Sequence, residues 1–235
     1  MLTITTLASS SAGNAYLLDD GKSPLLLEAG IPFKDIQRGT GFRVSSLAGC
    51  FVSHAHGDHS KAVKDLMKAG VDVYSSAGTI RSLGIDSHRA KVVKAQETFT
   101  VGSWRILPFD VQHDVEEPLG FLMAHKSGDK VLFATDTYYI KYRFSGITHL
   151  MIECNYSLRI LDENIAAGII PKAMRGRLLK SHFSLEHVKG FLRVNDLSKL
   201  REIHLLHLSD NNSDEEIFKR EIQEIVGKPV LIAKR

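Results

Sequence analysis

The chain has 235 residues, 43% of them hydrophobic and 24% charged, with a formal net charge of +3. That length and balance predict one globular domain over residues 1–235 and exclude a protein that coats nucleic acid through charge alone. No apolar run approaches membrane-spanning length, and residues 1–13 lack the basic start of a secretory signal, so a cytoplasmic location without a membrane partner is expected.

Leu2 to Leu7 alternates as a strand should, Ala8 to Asn14 reads as a turn of small residues, and Ala15 to Leu18 is a second apolar run. The chain therefore opens on a hairpin. Pro24 to Gly30 reads as a strand ending in Glu28 and a glycine, and Pro32 begins a short helix. The apolar run Leu47 to Val52 leads into His54-Ala55-His56-Gly57-Asp58-His59. Beyond it, Lys61 to Ala69 spaces Val63, Leu66 and Met67 as an amphipathic helix, and Val71 to Tyr74 is a short strand. The runs Ala90 to Val93, Thr98 to Val101, Trp104 to Phe109, Leu119 to Ala124 and Lys130 to Ala134 predict a meander of antiparallel strands. Leu150 to Cys154 is a further strand, and Leu158 to Ser181 is a mixed stretch rich in Arg and Lys. Ser184 to Val194 reads as a helix capped by Ser184, and Glu202 to Leu208 as a buried strand. Ser213 to Val226 reads as a helix with Ser213 as N-cap and Glu216 completing a capping box. Cys50 and Cys154 lie inside apolar runs, where free cysteine serves as a small buried hydrophobe, so no disulfide is expected.

The hexapeptide from His54 to His59 concentrates more ligand capacity than a packed core can satisfy. His54 and His56, two apart at an extended chain end, lean to the same side and meet one cation; Asp58 and His59, at a helix start, reach a second, with Gly57 permitting the bend between the pairs. Imidazole with carboxylate suits zinc, manganese or iron rather than calcium. Each ion then needs a further donor, and three residues stand where apolar runs stop: His113, Asp136 and His207.

The order HxHxDH, single His, single Asp, final His resembles the metallo-β-lactamase superfamily. Within it the chain is similar to the small YycJ (WalJ) type phosphodiesterase and exonuclease members, through Leu7-Ala-Ser-Ser-Ser-Ala-Gly-Asn14, residues 112–121, Thr135-Asp-Thr137, Glu153-Cys-Asn155, Ser181-His-Phe-Ser184 and residues 207–212. The resemblance implies an α/β fold, a four-layer αββα sandwich with two mixed sheets. It implies that His54, His56 and His113 hold one metal, that Asp58, His59 and His207 hold the other, and that Asp136 bridges them. His182 stands where related phosphodiesterases place a His that contacts the scissile phosphate, the alternative being a packing or capping residue. The chain departs from the family at Glu28, where an Asp is usual, at Ser10, where a Gly is usual, and at Tyr156-Ser157, where a His-Asp pair near the substrate side is usual. Glu28 then reads as an acid that orients a ligand His.

The function expected is a metal-dependent hydrolase that cleaves phosphodiester bonds through a metal-bridging hydroxide, with DNA, RNA or a nucleotide as partner and two divalent ions, Zn or Mn or else Fe, as cofactors. Asp58 would orient the hydroxide or accept its proton, and a protonated His182 would offset phosphoryl charge or assist the leaving oxygen. Arg175, Arg177 and Lys180, with Lys172, are candidates for phosphate contacts, against the plainer reading of a solvated helix face. The competing readings are a cyclic-nucleotide phosphodiesterase, a thioester or lactam hydrolase, and a non-catalytic binding module. The oligomeric state is not legible.

Overall fold

Apolar runs in this chain become short strands whose far ends carry the polar residues. The computed structural model describes residues 2–234, which fall into two compact units. The first takes in the described residues up to Asp110 together with Val115–Gly128, and the second Val111–Asp114 with Asp129–Ala233.

In the first unit the elements are β1 (Thr3–Ser10), β2 (Gly13–Asp19), β3 (Leu25–Leu27), α1 (Phe33–Gly39), β4 (Gly49–Phe51), α2 (Gly57–Ser60) and α3 (Val63–Lys68). They continue as β5 (Val73–Ser75), α4 (Ala77–Ser82), β6 (Ala90–Val92), β7 (Phe99–Val101), β8 (Trp104–Asp110) and β9 (Leu119–His125). β1 to β6 form a mixed sheet in sequence order, antiparallel from β1 to β3 and parallel from β3 to β6. The opening hairpin is longer than the sequence predicts. Ala8 to Ser10 remain strand because a bulge between Thr6 and Ala8 absorbs the irregularity, and the Asn14 side chain closes the turn by binding Ser10 N and Ser10 O.

Both faces of β4 are buried, which is why its sequence is a continuous apolar run rather than an alternating one. Cys50 and Val52 pack on one side with Leu7, Leu26, Ile36 and Leu66. Phe51 stacks on the other against Tyr74, at 5.0 Å between ring centroids, with Phe99 and Phe121 beyond. Cys50 and Cys154 are buried free thiols, as expected. The predicted meander is found in β7, β8 and β9, which pair antiparallel. β6 instead lies parallel to β5, because the intervening helix α4 carries the chain back to the same end before β6 begins.

Asp20, just past β2, ties this unit together away from the parallel strand ends. Its side chain accepts bonds from Ser103 Oγ and from the backbone N–H of Lys22 and Ser23, and Oδ2 lies 3.0 Å from His125 Nε2. Burial opposes the charge, but these bonds outweigh it and hold the carboxyl at about 2. A carboxylate depressed this far from its ordinary value of about 4 contributes on the order of 2 kcal/mol at neutral pH, and the contribution fades as pH falls from about 4 towards 2. Asp20→Asn is expected to lose about that much in urea unfolding at pH 7, the gap from wild type narrowing as pH falls below about 4. A gap that stays constant with pH would assign the loss to shape rather than charge.

In the second unit the elements are β10 (Lys130–Ala134), β11 (His149–Glu153), α5 (Leu158–Ala166), α6 (Lys172–Ser181), α7 (Leu185–Val194), β12 (Glu202–Leu206), α8 (Glu215–Val226) and β13 (Val230–Ile232). β10 to β13 run parallel. Every residue of β11 is buried. The mixed basic stretch resolves into α5 and α6. Ser184 caps α7 as predicted, its hydroxyl accepting His187 N–H at 3.2 Å. The cap of α8 is Asp214 rather than Ser213: Asp214 Oδ1 accepts Ile217 N–H at 2.9 Å, while Ser213 Oγ is spent on Ser209 O. Among the described residues no helix is long and apolar enough to cross a membrane.

Candidate functional site

Each unit gathers polar donors where its parallel strands stop. In the first, β3 ends at Glu28, and its parallel neighbour β4 runs on through Val52 and Ser53 to His54. Glu28 is buried at φ 61°, a left-handed conformation that costs a residue with a Cβ roughly 1–2 kcal/mol. That turn aims its carboxylate at the hexapeptide: one oxygen accepts Ser53 N–H at 3.1 Å and the other stands 3.5 Å from His59 Nδ1. Gly30 follows because the Asp58 carbonyl passes where a side chain would begin; a Cβ there would lie 1.6 Å from Asp58 O. Asn14, from β2, donates its amide to Asp58 O at 3.3 Å and stands 3.2 Å from His59 Nε2.

These contacts fix protons. The two Asn14 amide hydrogens are taken by the carbonyls of Ser10 and Asp58, and Glu28 faces His59 Nδ1, an arrangement that favours the ring proton on Nδ1. The Nε2 lone pair then lies 3.3 Å from Asp58 Oδ2. Ser53 Oγ holds His54 Nδ1 at 2.8 Å, and His54 Nε2 faces His56 Nδ1 at 3.0 Å, a gap in which two imidazoles share at most one proton. The rings of His54 and His59 are 4.3 Å apart. His54, His56, Asp58 and His59 are thus brought together, with Ser53 on the other ring nitrogen of His54 and Glu28 on that of His59.

In the second unit, Asp136 and His207 follow the ends of β10 and β12, both at positive φ (43° and 52°), and Glu153 ends β11 between them. Asp136 Oδ1 is anchored by Thr135 Oγ1 at 3.1 Å and by His207 Nδ1 at 2.8 Å, while Oδ2 points to His113 Nε2 at 3.7 Å. His113 Nδ1 lies 3.0 Å from Ser181 O. A carbonyl only accepts, so Nδ1 carries the proton and the Nε2 lone pair faces a carboxylate oxygen. Burial pushes His113 below the usual histidine range, which keeps it neutral. Two electron-rich atoms held face to face are favourable when a cation lies between them, so the donor set fits a divalent ion of the zinc, manganese or iron kind.

His182 caps the C-terminus of α6 and places Nδ1 2.6 Å from Glu153 Oε1. Burial works against its charge, but Glu153 outweighs burial and raises its pKa. For Glu153, burial alone would raise the carboxyl, yet His182 and the bonds from His182 and His207 hold it low. Glu153 Oε2 accepts Thr137 N–H at 3.0 Å and Phe183 N–H at 3.1 Å. His207 Nδ1 is 3.2 Å from Glu153 Oε1 as well, and against the effect of burial Asp136 and Glu153 push His207 up to about 10. Ligand atoms of Asp136, Glu153, His182 and His207 all lie within 4.8 Å of one another.

Glu153 is the residue that sequence reasoning left without a role. An acidic residue closing a strand of buried apolar residues was the available sign, the same sign that singled out Asp136. Tyr156 corrects an expectation: it is fully buried with Leu161 and Ile170, so that departure from the family lies in the core rather than on a substrate face. Lys172, Arg175, Arg177 and Lys180 all lie on α6. Arg175 grips Asp162 through Nε at 2.7 Å and Nη2 at 3.3 Å, whereas Arg177 and Lys180 are exposed.

A family model described as the beta-lactamase superfamily domain matches residues 31–159. The chain is 24% identical over 240 residues to the exodeoxyribonuclease YycJ of Bacillus anthracis, covering 96% of this chain and 89% of that one. It is 28% identical over 229 residues to the exodeoxyribonuclease WalJ of Streptococcus pneumoniae, covering 90% and 83%. Among solved structures, the metallo-beta-lactamase fold protein YhfI from Bacillus subtilis superposes with a TM-score of 0.75 at 17% identity, over 100% of this chain and 97% of that one. The fold is therefore the metallo-β-lactamase fold, and the α/β class expected from the sequence is the one found.

Proposed function

This chain belongs to the beta-lactamase superfamily and is a metal-dependent hydrolase, a premise from which we propose that it cleaves phosphodiester bonds in nucleic acid. The observation that carries this reading is the pair Glu153 and His182: a buried carboxylate 2.6 Å from an imidazole favours its protonated form beside Asp136 and His207. A positive N–H placed there suits a transition state that gathers charge on phosphoryl oxygens, and has less to act on in a neutral lactam or thioester. The two similar exodeoxyribonucleases support DNA as the polymer.

In this proposal His54, His56 and His113 hold one divalent ion, Asp58, His59 and His207 the other, and Asp136 is shared. Such ions, when bound, supply Lewis acidity to phosphoryl oxygens and bring the pKa of water towards neutrality. The chain's own residues do the rest. Asp58 orients the attacking water or accepts its proton, His182 donates towards the leaving oxygen, and Glu153 keeps His182 charged and turned inwards. Retention of every donor argues against a non-catalytic binding module.

The test is hydrolysis of bis-p-nitrophenyl phosphate and of single-stranded DNA with manganese or zinc, with and without chelator. Turnover of both that stops on chelation is the expected result; faster turnover of a thioester, or indifference to chelator, would overturn the reading. Oligonucleotide binding should also weaken as salt rises. Because Arg175 is engaged by Asp162, Arg177→Ala with Lys180→Ala is the variant expected to flatten the log–log slope, by about 1.4 for two phosphate contacts on a single strand. Salt-independent binding by wild type, with rapid cleavage of a cyclic mononucleotide, would favour the small-nucleotide substrate instead.

A further inference from the structure

Beside the donors of the second unit lies a cavity of about 320 Å³ that none of the roles above uses. One wall is the irregular segment after Asp136, in which aromatic and cationic residues alternate as Tyr139, Lys141, Tyr142 and Arg143; the other is Phe183 with the α7 face around Gly190. Both walls continue directly from site residues, since Phe183 follows His182 and the segment begins at Thr137. The segment is fastened at each end. Thr137 Oγ1 accepts Gln112 N–H at 2.9 Å, and Asn195 Oδ1 accepts Phe144 N–H at 2.6 Å.

The chemistry of these walls is specific. Tyr139 is 57% exposed despite its size, and Lys141 Nζ lies 5.1 Å from the centre of the Tyr142 ring. The acid that borders the cavity, Glu186, directs its carboxylate at the start of α5, accepting Leu158 N–H at 3.2 Å. Gly190 is the second observation. It sits inside a helix, where glycine is unfavourable, and a Cβ placed on it would meet nothing within 4 Å. Packing does not require a glycine there, and the missing side chain leaves this side of the cavity open.

Resting on the nucleic-acid reading above, we propose that this cavity is a nucleotide subsite, in which one base of a single strand stacks on Tyr139 over the Gly190 floor while Lys141 and Arg143 hold its phosphates. A volume of about 320 Å³ is at the small end of ligand pockets, which run from roughly 300 to 1,000 Å³, and suits one nucleotide rather than a duplex. Aromatic faces interleaved with cations are the arrangement by which single strands are held without sequence preference.

The test uses the metal-loaded protein and a fluorescent oligothymidylate with phosphorothioate linkages, its affinity read by anisotropy for wild type, Tyr139→Ala and Gly190→Leu. Both variants are expected to bind about ten-fold more weakly, the loss of one stacked base. Gly190→Leu should do so with a thermal midpoint at or above wild type, because leucine favours the helix. If either variant binds as wild type does, or wild type binds no oligonucleotide, the subsite is wrong. Loss of self-association in Gly190→Leu at unchanged affinity would assign the cavity to a second copy of the chain and overturn it too. Turnover of bis-p-nitrophenyl phosphate by wild type separates this failure from failure of the hydrolase reading.

Discussion

Asp136→Asn is expected to bind fewer than two divalent ions per chain and to lose more than about 100-fold in turnover. Residues that only support a metal ligand cost about 10–100-fold in affinity or activity when removed, and a shared ligand should exceed that range. The geometry indicates why Asp136 is the most sensitive position. Its Oδ1 is tied to Thr135 and His207, so the carboxylate does not rotate, and its single presented oxygen faces His113. Asparagine is preferred to alanine as the test because the residue sits at φ 43°, where asparagine is tolerated and alanine adds backbone strain of its own. Elemental analysis after loading and dialysis should find close to two ions in wild type. Wild-type rates in the variant under limiting metal would remove Asp136 from the shared position.

The donors were legible to different depths, and the differences have physical causes. The hexapeptide is a local arrangement: six consecutive residues fix which imidazoles meet, so His54, His56, Asp58 and His59 come together as spacing predicts. Asp136 and His207 were legible because polar residues that interrupt apolar runs mark strand ends, where parallel sheets place their ligands. Glu153 carries the same mark, but its role depends on His182, 29 residues further on, and no local pattern encodes that meeting. Pairing direction was harder still. The sequence pattern joins β6 to the meander because it does not show helix α4 between β5 and β6, and a crossover decides parallel from antiparallel. At α8 two capping residues stand side by side, and which one caps is settled by Ser209, whose carbonyl takes the Ser213 hydroxyl. The backbone conformations at Glu28, Asp136 and His207 were not legible at all, since any residue other than glycine is uncommon at positive φ and no local pattern marks these three.

His182→Ala is expected to keep both ions and lose turnover by roughly two to four orders of magnitude, the range for a group that moves a proton in the transition state. His182 makes a 2.6 Å bond to Glu153 and is partly open to solvent, whereas His113, Asp136 and His207 are enclosed, which is the placement of a residue that meets substrate. Glu153→Gln preserves size and one acceptor oxygen for the Thr137 and Phe183 amides while removing the charge that raises His182. It should therefore lower the pH at which activity falls away on the alkaline side, where His182 loses its proton, and weaken metal binding about 10–100-fold through the lost partner of His207. If Glu153 acts on turnover through His182, adding Glu153→Gln to His182→Ala should cost much less in turnover at saturating metal than it does in wild type, because residues that work as one unit are not additive. Full additivity would separate the two residues, and loss of an ion in His182→Ala alone would make that histidine a ligand rather than a proton donor.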